Sequence, residues 1–301
     1  MTAAGGWRIV ELAADSVSST SVKSSFRGKT AFVTGGASGI GAALATKLAD
    51  GGAEVWIADR QIEPAKQLAQ RLNSAGGKAH AIELDVRSYP SFEGAVGEAV
   101  QQCGRIDYLF NNAGIGVGGE VDSYTLDDWN DVFDVNLRGV MHGIQAAYPI
   151  MIEQRSGHIV NTASMAGLIT TVSQASYAAT KHAVVAISKT LRLEAERHGV
   201  QVSVLCPGVV QTPIITGGVY GRNDSVSEED LLKSAETLRP IAPEKFAERA
   251  LRAVLRGDAI IVVPAWWKAL WYLERLSPAL SMRAVKMTML KRIREVHIAA
   301  S

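Results

Sequence analysis

Tyr177 and Lys181 stand four residues apart in the run Ser176-Tyr177-Ala178-Ala179-Thr180-Lys181, inside an apolar stretch of helical character. Positions i and i+4 share a helix face, so the phenol and the ammonium should lie side by side. The cation favours the phenolate and is expected to bring the Tyr177 pKa down towards working pH, which makes the pair an acid–base device. Ser164, thirteen residues before Tyr177, offers a hydroxyl that can polarise a substrate oxygen. Upstream of all three lies the turn Thr34-Gly35-Gly36-Ala37-Ser38-Gly39-Ile40-Gly41. Glycines let the backbone turn sharply and approach a pyrophosphate, and the N-terminus of the following helix favours that anion. A proton-transfer pair downstream of a dinucleotide turn points to hydride transfer at a carbonyl carbon, with Tyr177 as acid in reduction and base in oxidation.

The glycines Gly35, Gly39 and Gly41 follow a G-x-x-x-G-x-G spacing, unlike the G-x-G-x-x-G of other dinucleotide folds. Asp59 closes the next apolar run. A carboxylate there accepts hydrogen bonds from adenine ribose hydroxyls and repels a 2′-phosphate, which favours NAD. Arg60 beside it can pair with a 2′-phosphate and keeps NADP as the alternative; its other role is to stack over adenine or stay solvated.

These residues need elements to hold them. Short β-branched runs at 30–34, 54–58, 79–84, 106–110, 158–161, 200–205 and 259–263 read as seven strands, with longer helical stretches between them. Strand–helix alternation at this spacing implies a parallel sheet with helices on both faces. Right-handed crossovers make that a doubly wound α/β domain, with ligand at the carboxyl ends of the strands. The rhythm breaks at 209–241, which reads as a substrate lid because long loops in compact domains are usually functional. Residues 1–27, rich in Ser, Ala and Gly, read as a loosely held arm with a short ordered piece at 7–12.

Five motifs, in this order and spacing, resemble those of the short-chain dehydrogenase/reductases: the 34–41 turn, Asn111-Asn112-Ala113-Gly114, Asn136, Ser164 with Tyr177 and Lys181, and Pro207-Gly208. The resemblance spans roughly 28–263 and implies one Rossmann-type domain. It implies that Ser38 and Ile40 of the turn line the cofactor, with Ser38 where NADP-preferring relatives often carry a basic residue. Asp85 and Val86 match the adenine-contacting pair. Asn112, Ala113 and Gly114 line the cofactor, and Pro207, Gly208, Val210 and Thr212 fix the face of the nicotinamide, Val210 through its backbone and Thr212 through its hydroxyl. Lys181 binds the nicotinamide ribose, and Asn136 holds a water that completes a proton relay from Lys181. No metal site is implied. His182 faces away from Tyr177 by helix geometry, and His142 and His158 read as structural.

Met165, Leu168, Ile169 and Val172 beside the site, and Ile214, Ile215, Val219, Tyr220, Leu231, Leu232 and Leu238 in the lid, can wall an apolar substrate, and 164–176 holds no Lys or Arg. A lipophilic secondary alcohol or ketone is expected. The extension 264–301 carries seven basic side chains against two acidic ones, and Met282, Val285, Met289, Ile293 and Val296 recur at helical spacing. That stripe has three readings: packing on the subunit's own core or cleft, packing on another subunit, or peripheral contact with an anionic membrane. Relatives of this family imply a homodimer or homotetramer.

The 301 residues carry a net charge of +1 and two cysteines, Cys103 and Cys206, without metal spacing. Nothing in that balance calls for nucleic acid, and a reduced, cytoplasmic setting is expected. Two rival readings stand beside the NAD-dependent dehydrogenase: an NADP-linked ketoreductase, and a non-catalytic dinucleotide-sensing or scaffold protein.

Overall fold

The computed structural model describes residues 24–217, 221–223 and 228–287. The expected piece at 7–12, the lid residues Val219 and Tyr220, and the stripe positions Met289, Ile293 and Val296 lie outside the described residues. The last part of the arm is already core: Phe26 is fully buried, meets Tyr108 edge-on at 5.3 Å, and its N–H donates to the Gly51 carbonyl. Burying such a side chain contributes roughly 1.5–3 kcal/mol, which ties the chain down before the first strand.

β1 (Thr30–Thr34) is buried throughout and runs into α1 (Gly39–Asp50). β2 (Glu54–Asp59), α2 (Ile62–Ser74), β3 (Lys78–Glu83) and α3 (Tyr89–Cys103) extend one half of the sheet. The chain then crosses to β4 (Tyr108–Asn111), followed by a short strand β5 (Gly116–Gly118), α4 (Leu126–Phe133), α5 (Gly139–Gln154), β6 (Gly157–Thr162), α6 (Ala175–Ala195) and β7 (Val200–Pro207). The lid contributes β8 (Gly221–Asn223) and α7 (Glu228–Glu236); α8 (Pro243–Leu255), β9 (Ile260–Val263) and α9 (Trp267–Leu276) follow. Residues 278–287 are helical as well.

The main sheet has seven parallel strands in the order β3-β2-β1-β4-β6-β7-β9. This is the doubly wound Rossmann-type arrangement that the strand–helix rhythm predicts. Strand side chains alternate between faces, so Phe32 joins the layer formed with α3, α5 and α6, while Ala31 and Val33 join the layer under α1, α2 and α8. The sheet order reverses between β1 and β4, and at such a switch point the flanking loops part to leave a crevice. Asp85 and Val86 fall just beyond the end of β3.

Two local features escape the sequence pattern. β5 and β8 pair in parallel as a separate two-stranded sheet that ties the lid to the loop after β4; glycines at both ends of β5 give no strand signal. Between α4 and α5 the backbone runs as a π-helical turn, Asp134–Arg138, centred on Asn136. Such turns are often found at functional sites. Among the described residues, no helix is long and apolar enough to cross a membrane, and no group of three His, Cys, Asp or Glu side chains could hold a metal ion.

Candidate active site

A cleft of about 480 Å³ opens at the switch point and runs from Asp59 to Trp267. Its first half is a dinucleotide cradle. The Thr34 hydroxyl accepts from the Asn112 and Ala113 N–H groups, and the Asn112 amide donates to the carbonyls of Thr34 and Gly35. These bonds clamp the end of β4 to the glycine turn. Gly39 opens α1 at φ +51°, and a Cβ there would stand 3.1 Å from Thr212. At Gly41 a Cβ would lie 2.0 Å from the Gly35 carbonyl oxygen. The backbone is thus pressed close at the start of a helix, where a pyrophosphate can meet free N–H groups. That geometry fits a nicotinamide dinucleotide.

Buried Asp59 accepts from the Ala37 N–H on one oxygen and the Gln61 N–H on the other, at 3.0 and 2.9 Å. Its carboxylate is therefore held rigidly at the cleft edge, with lone pairs left for ribose hydroxyls. Asp85 is tied to Arg87, whose hydrogen bonds hold its carboxyl below the usual range, with a further charge effect from Arg60. Arg60 therefore lies near Asp85 as well as beside Asp59.

Lys181, Tyr177 and Ser164 come together deeper in the cleft. Lys181 is buried, its Nζ donates to the Thr162 carbonyl at 2.9 Å, and it sits 5.3 Å from the Tyr177 ring centroid. The Ser164 hydroxyl lies near enough to the Tyr177 phenol to favour its ionised form, and it accepts from the Ala166 N–H. The expected depression of Tyr177 does not hold here. Burial pushes its phenol up from the ordinary value, and only Ser164 opposes this. Burial decides the direction; Lys181 Nζ, which donates to the Thr162 carbonyl, stands 5.3 Å from the ring centroid.

Burial brings Lys181 down to about 8, against roughly 10.4 for an unfolded lysine. Below pH 8 both states carry the charge and the full cost of burying it is present. Between about 8 and 10 the unfolded chain holds more protons, so stability rises with pH. Lys181→Met is therefore expected to melt above the wild type at pH 7, with the gap closing as pH rises towards 10. Thermal scans across that range check this; a lower midpoint for the variant at pH 7 means the Thr162 hydrogen bond outweighs the burial cost.

Asn136 is fully buried and does not border the cleft. Its amide exchanges two hydrogen bonds with the Ile115 backbone, at 2.8 and 2.9 Å, and reaches Thr180. The side chain is thus committed to protein, so any part it plays in a relay passes through its main chain or its positioning of Ile115. Gly41 also lies behind the lining. Every other expected cofactor residue borders the cleft, together with Gln61, Leu84, Thr162 and Ala163, which the sequence reading did not single out.

The substrate half differs in detail from expectation. Met165, Ile169, Ile214, Ile215 and Leu238 line it. Leu168 is instead packed in the core, while Val172 and Leu232 face outwards. A cation does reach the cleft, from the lid: Arg222 on β8 lines it and pairs with Asp128 of α4, which Thr125 also bonds. The Arg222 guanidinium holds the Asp128 carboxyl far below its ordinary range. His182 is exposed, and His142 and His158 bond to Val86 and Ser203, away from the chemistry.

The extension closes the far end. Trp267 is buried against Gly208, and Glu274 accepts from the Thr170 N–H and hydroxyl. Trp267 lines the cleft too, from a position that no motif marks. Within 264–276 the extension packs on its own subunit, while Trp266, Leu270, Leu276 and Met282 stay exposed.

Comparison with known proteins agrees with this geometry. The family model described as short chain dehydrogenase matches residues 29–218. A 2,5-dichloro-2,5-cyclohexadiene-1,4-diol dehydrogenase of Sphingobium indicum is 41% identical over 187 residues, 62% of this chain and 75% of that protein. An uncharacterized oxidoreductase of Staphylococcus aureus is 38% identical over 234 residues, 78% of this chain and 94% of the relative. A short chain dehydrogenase/reductase from Burkholderia phymatum, solved in complex with NAD, superposes with a TM-score of 0.77 at 32% identity, covering 85% of this chain and 95% of that one.

Proposed function

The chain belongs to the short-chain dehydrogenase family of oxidoreductases, and from that premise we propose that it interconverts an apolar secondary alcohol and its ketone with Tyr177 as the acid–base group. The observation that carries this reading is the convergence of Ser164, Tyr177 and buried Lys181, whose Nζ lies 5.3 Å from the Tyr177 ring, on a cleft that begins in a dinucleotide cradle. A nicotinamide dinucleotide bound there supplies the acceptor or donor of the hydride at the carbinol carbon. In oxidation, Tyr177 Oη takes the alcohol proton as the carbon gives up its hydride. In reduction, Oη returns the proton to the carbonyl oxygen. Ser164 donates to that same oxygen and holds it in place. A phenol raised by burial is protonated at neutral pH and is ready as the acid; as a base it needs nearby positive charge, and Lys181, 5.3 Å from its ring, is the cation beside it. The apolar side chains Met165, Ile169, Ile214, Ile215 and Leu238 support a lipophilic substrate and the exclusion of water.

The cofactor we propose is NAD. Asp59 supports it, as does the solved relative in complex with NAD. Asp59→Ala should narrow or invert the NAD-to-NADP ratio of kcat/KM, because it removes both the ribose acceptor and the repulsion of a 2′-phosphate. A wild type that prefers NADP would transfer control to Arg60. The deciding experiment for the reading as a whole is a turnover screen of lipophilic alcohols and ketones with both cofactors. Dinucleotide binding without turnover of any of them favours the sensor or scaffold alternative. A homo-oligomer is part of the proposal, since exposed Met141 and Leu193 lie on the long helices α5 and α6.

A further inference from the structure

The extension after β9 has an inner side that its own subunit uses and an outer side that it does not. At about 100° per residue, Trp267, Trp271 and Glu274 share one strip of α9. Trp267 is buried, Trp271 packs against the core, and Glu274 accepts from the Thr170 N–H and hydroxyl. That strip is the joint with the subunit, and it takes up Glu274, the one acidic side chain in 264–287.

What stays outside is apolar and cationic. Trp266, Leu270, Leu276, Leu280, Met282 and Met287 are exposed, Leu276 at 85% and Met287 at 67%. Among the described residues, no other stretch of this length exposes so many large apolar side chains. Lys268, Arg275, Arg283 and Lys286 stand among them, the last three exposed. In the helical run 278–287, Leu280, Arg283 and Met287 follow at i, i+3 and i+7 and share one exposed face. A guanidinium is thus set between two apolar side chains. The sequence goes on with Lys291, Arg292 and Arg294 against Glu295.

A second copy of the chain fits this surface poorly. A two-fold contact would set the patch against itself, with Arg283 and Lys286 facing their own counterparts, and charged side chains are depleted at interface cores. Self-association also has another face to use, with exposed Met141 and Leu193 on α5 and α6. A layer of anionic headgroups over acyl chains suits both halves of the patch. Trp, Leu and Met side chains enter the acyl boundary, while Lys and Arg stems lie along it and carry their charges to lipid phosphates. We infer that the outer side of 266–287 is a docking surface for an anionic phospholipid bilayer, on which the protein rests without crossing it.

The test is sedimentation of the full-length protein with vesicles of phosphatidylcholine alone and of phosphatidylcholine and phosphatidylglycerol in equal parts. It needs no turnover, so its outcome is separate from that of the alcohol–ketone reading. The protein should sediment with the mixed vesicles and not with the neutral ones, and molar salt, where the Debye length falls to about 3 Å, should release it. A cation near an anionic surface strengthens binding about fivefold, so Arg283→Gln with Lys286→Gln should weaken it roughly 25-fold. Leu270→Gln with Leu276→Gln should weaken it about tenfold or more by removing apolar area from the contact. All four side chains belong to the outer side, so both double variants should melt near the wild type. No sedimentation with the mixed vesicles, or equal sedimentation of wild type and variants, would overturn the docking surface. Light scattering adds one more outcome: variants that break an oligomer, in a protein that ignores vesicles, would give the patch to a second copy and overturn it as well.

Discussion

Tyr177→Phe should lower turnover by at least the roughly 10²–10⁴-fold typical of a lost acid–base group, while NAD binding survives. The substitution removes one oxygen and leaves the ring, so packing under Lys181 is kept. What disappears is the phenol oxygen beside Ser164 and the proton that, on this reading, moves when the carbinol carbon is oxidised or reduced. Among the described residues the Ser164 hydroxyl takes its hydrogen bond from the Ala166 N–H rather than from another titratable side chain, and the neighbouring imidazole, His182, is exposed with its Nδ1 at its own helix backbone. The cradle that holds the dinucleotide is built from β1, α1 and the end of β4 and does not touch the phenol. Single-turnover kinetics with NAD binding measured in parallel decide the matter. A variant that turns over near the wild-type rate removes Tyr177 from the chemistry.

Gly41→Ala is expected to be nearly as damaging, by a different route. Its Cβ would meet the Gly35 carbonyl at 2.0 Å and the Asn112 amide nitrogen at 2.7 Å. Neither can step aside: one is backbone, and the other is held by the Thr34 and Gly35 carbonyls. The turn must open away from α1, and overpacking of this kind costs typically about 1–3 kcal/mol of stability. A displacement of even about 1 Å at a positioned site can cost on the order of 10²-fold, so dinucleotide affinity should fall by about that factor. Gly94→Ala, in α3 with nothing within 4 Å of the new methyl, is the matched control and should gain stability slightly. Titration calorimetry with NAD on the two variants separates them; wild-type affinity in Gly41→Ala would show that the turn yields without loss of the cradle.

The sequence alone carries the Tyr177–Lys181 pair, the glycine turn and the seven parallel strands. The first two follow from spacings within one element, and the third from the alternation of strand and helix runs along the chain. An i, i+4 pair needs only a helix, a period-two apolar run needs only a strand, and a glycine turn between the two announces itself by composition. Asp59 was legible for the same reason, since it caps a strand whose end could be counted. Other features depend on residues far apart in the chain, and no local pattern encodes them. Asn136 carries the right identity, yet its amide is spent on Ile115 because a π-helical turn rotates it there. Arg222 enters the cleft only because β8 pairs with the glycine-rich β5 and Asp128 of α4 waits behind it. The direction of the Tyr177 shift reverses because burial, a sum over many distant neighbours, raises the phenol and only Ser164 opposes it. Trp267 lies 90 residues beyond Tyr177 in the sequence. It becomes part of the same cleft only when β9 adds to the sheet edge and α9 folds back over Gly208. Local spacing sets which groups can do chemistry; long-range packing sets their charge state, their partners and what they can hold.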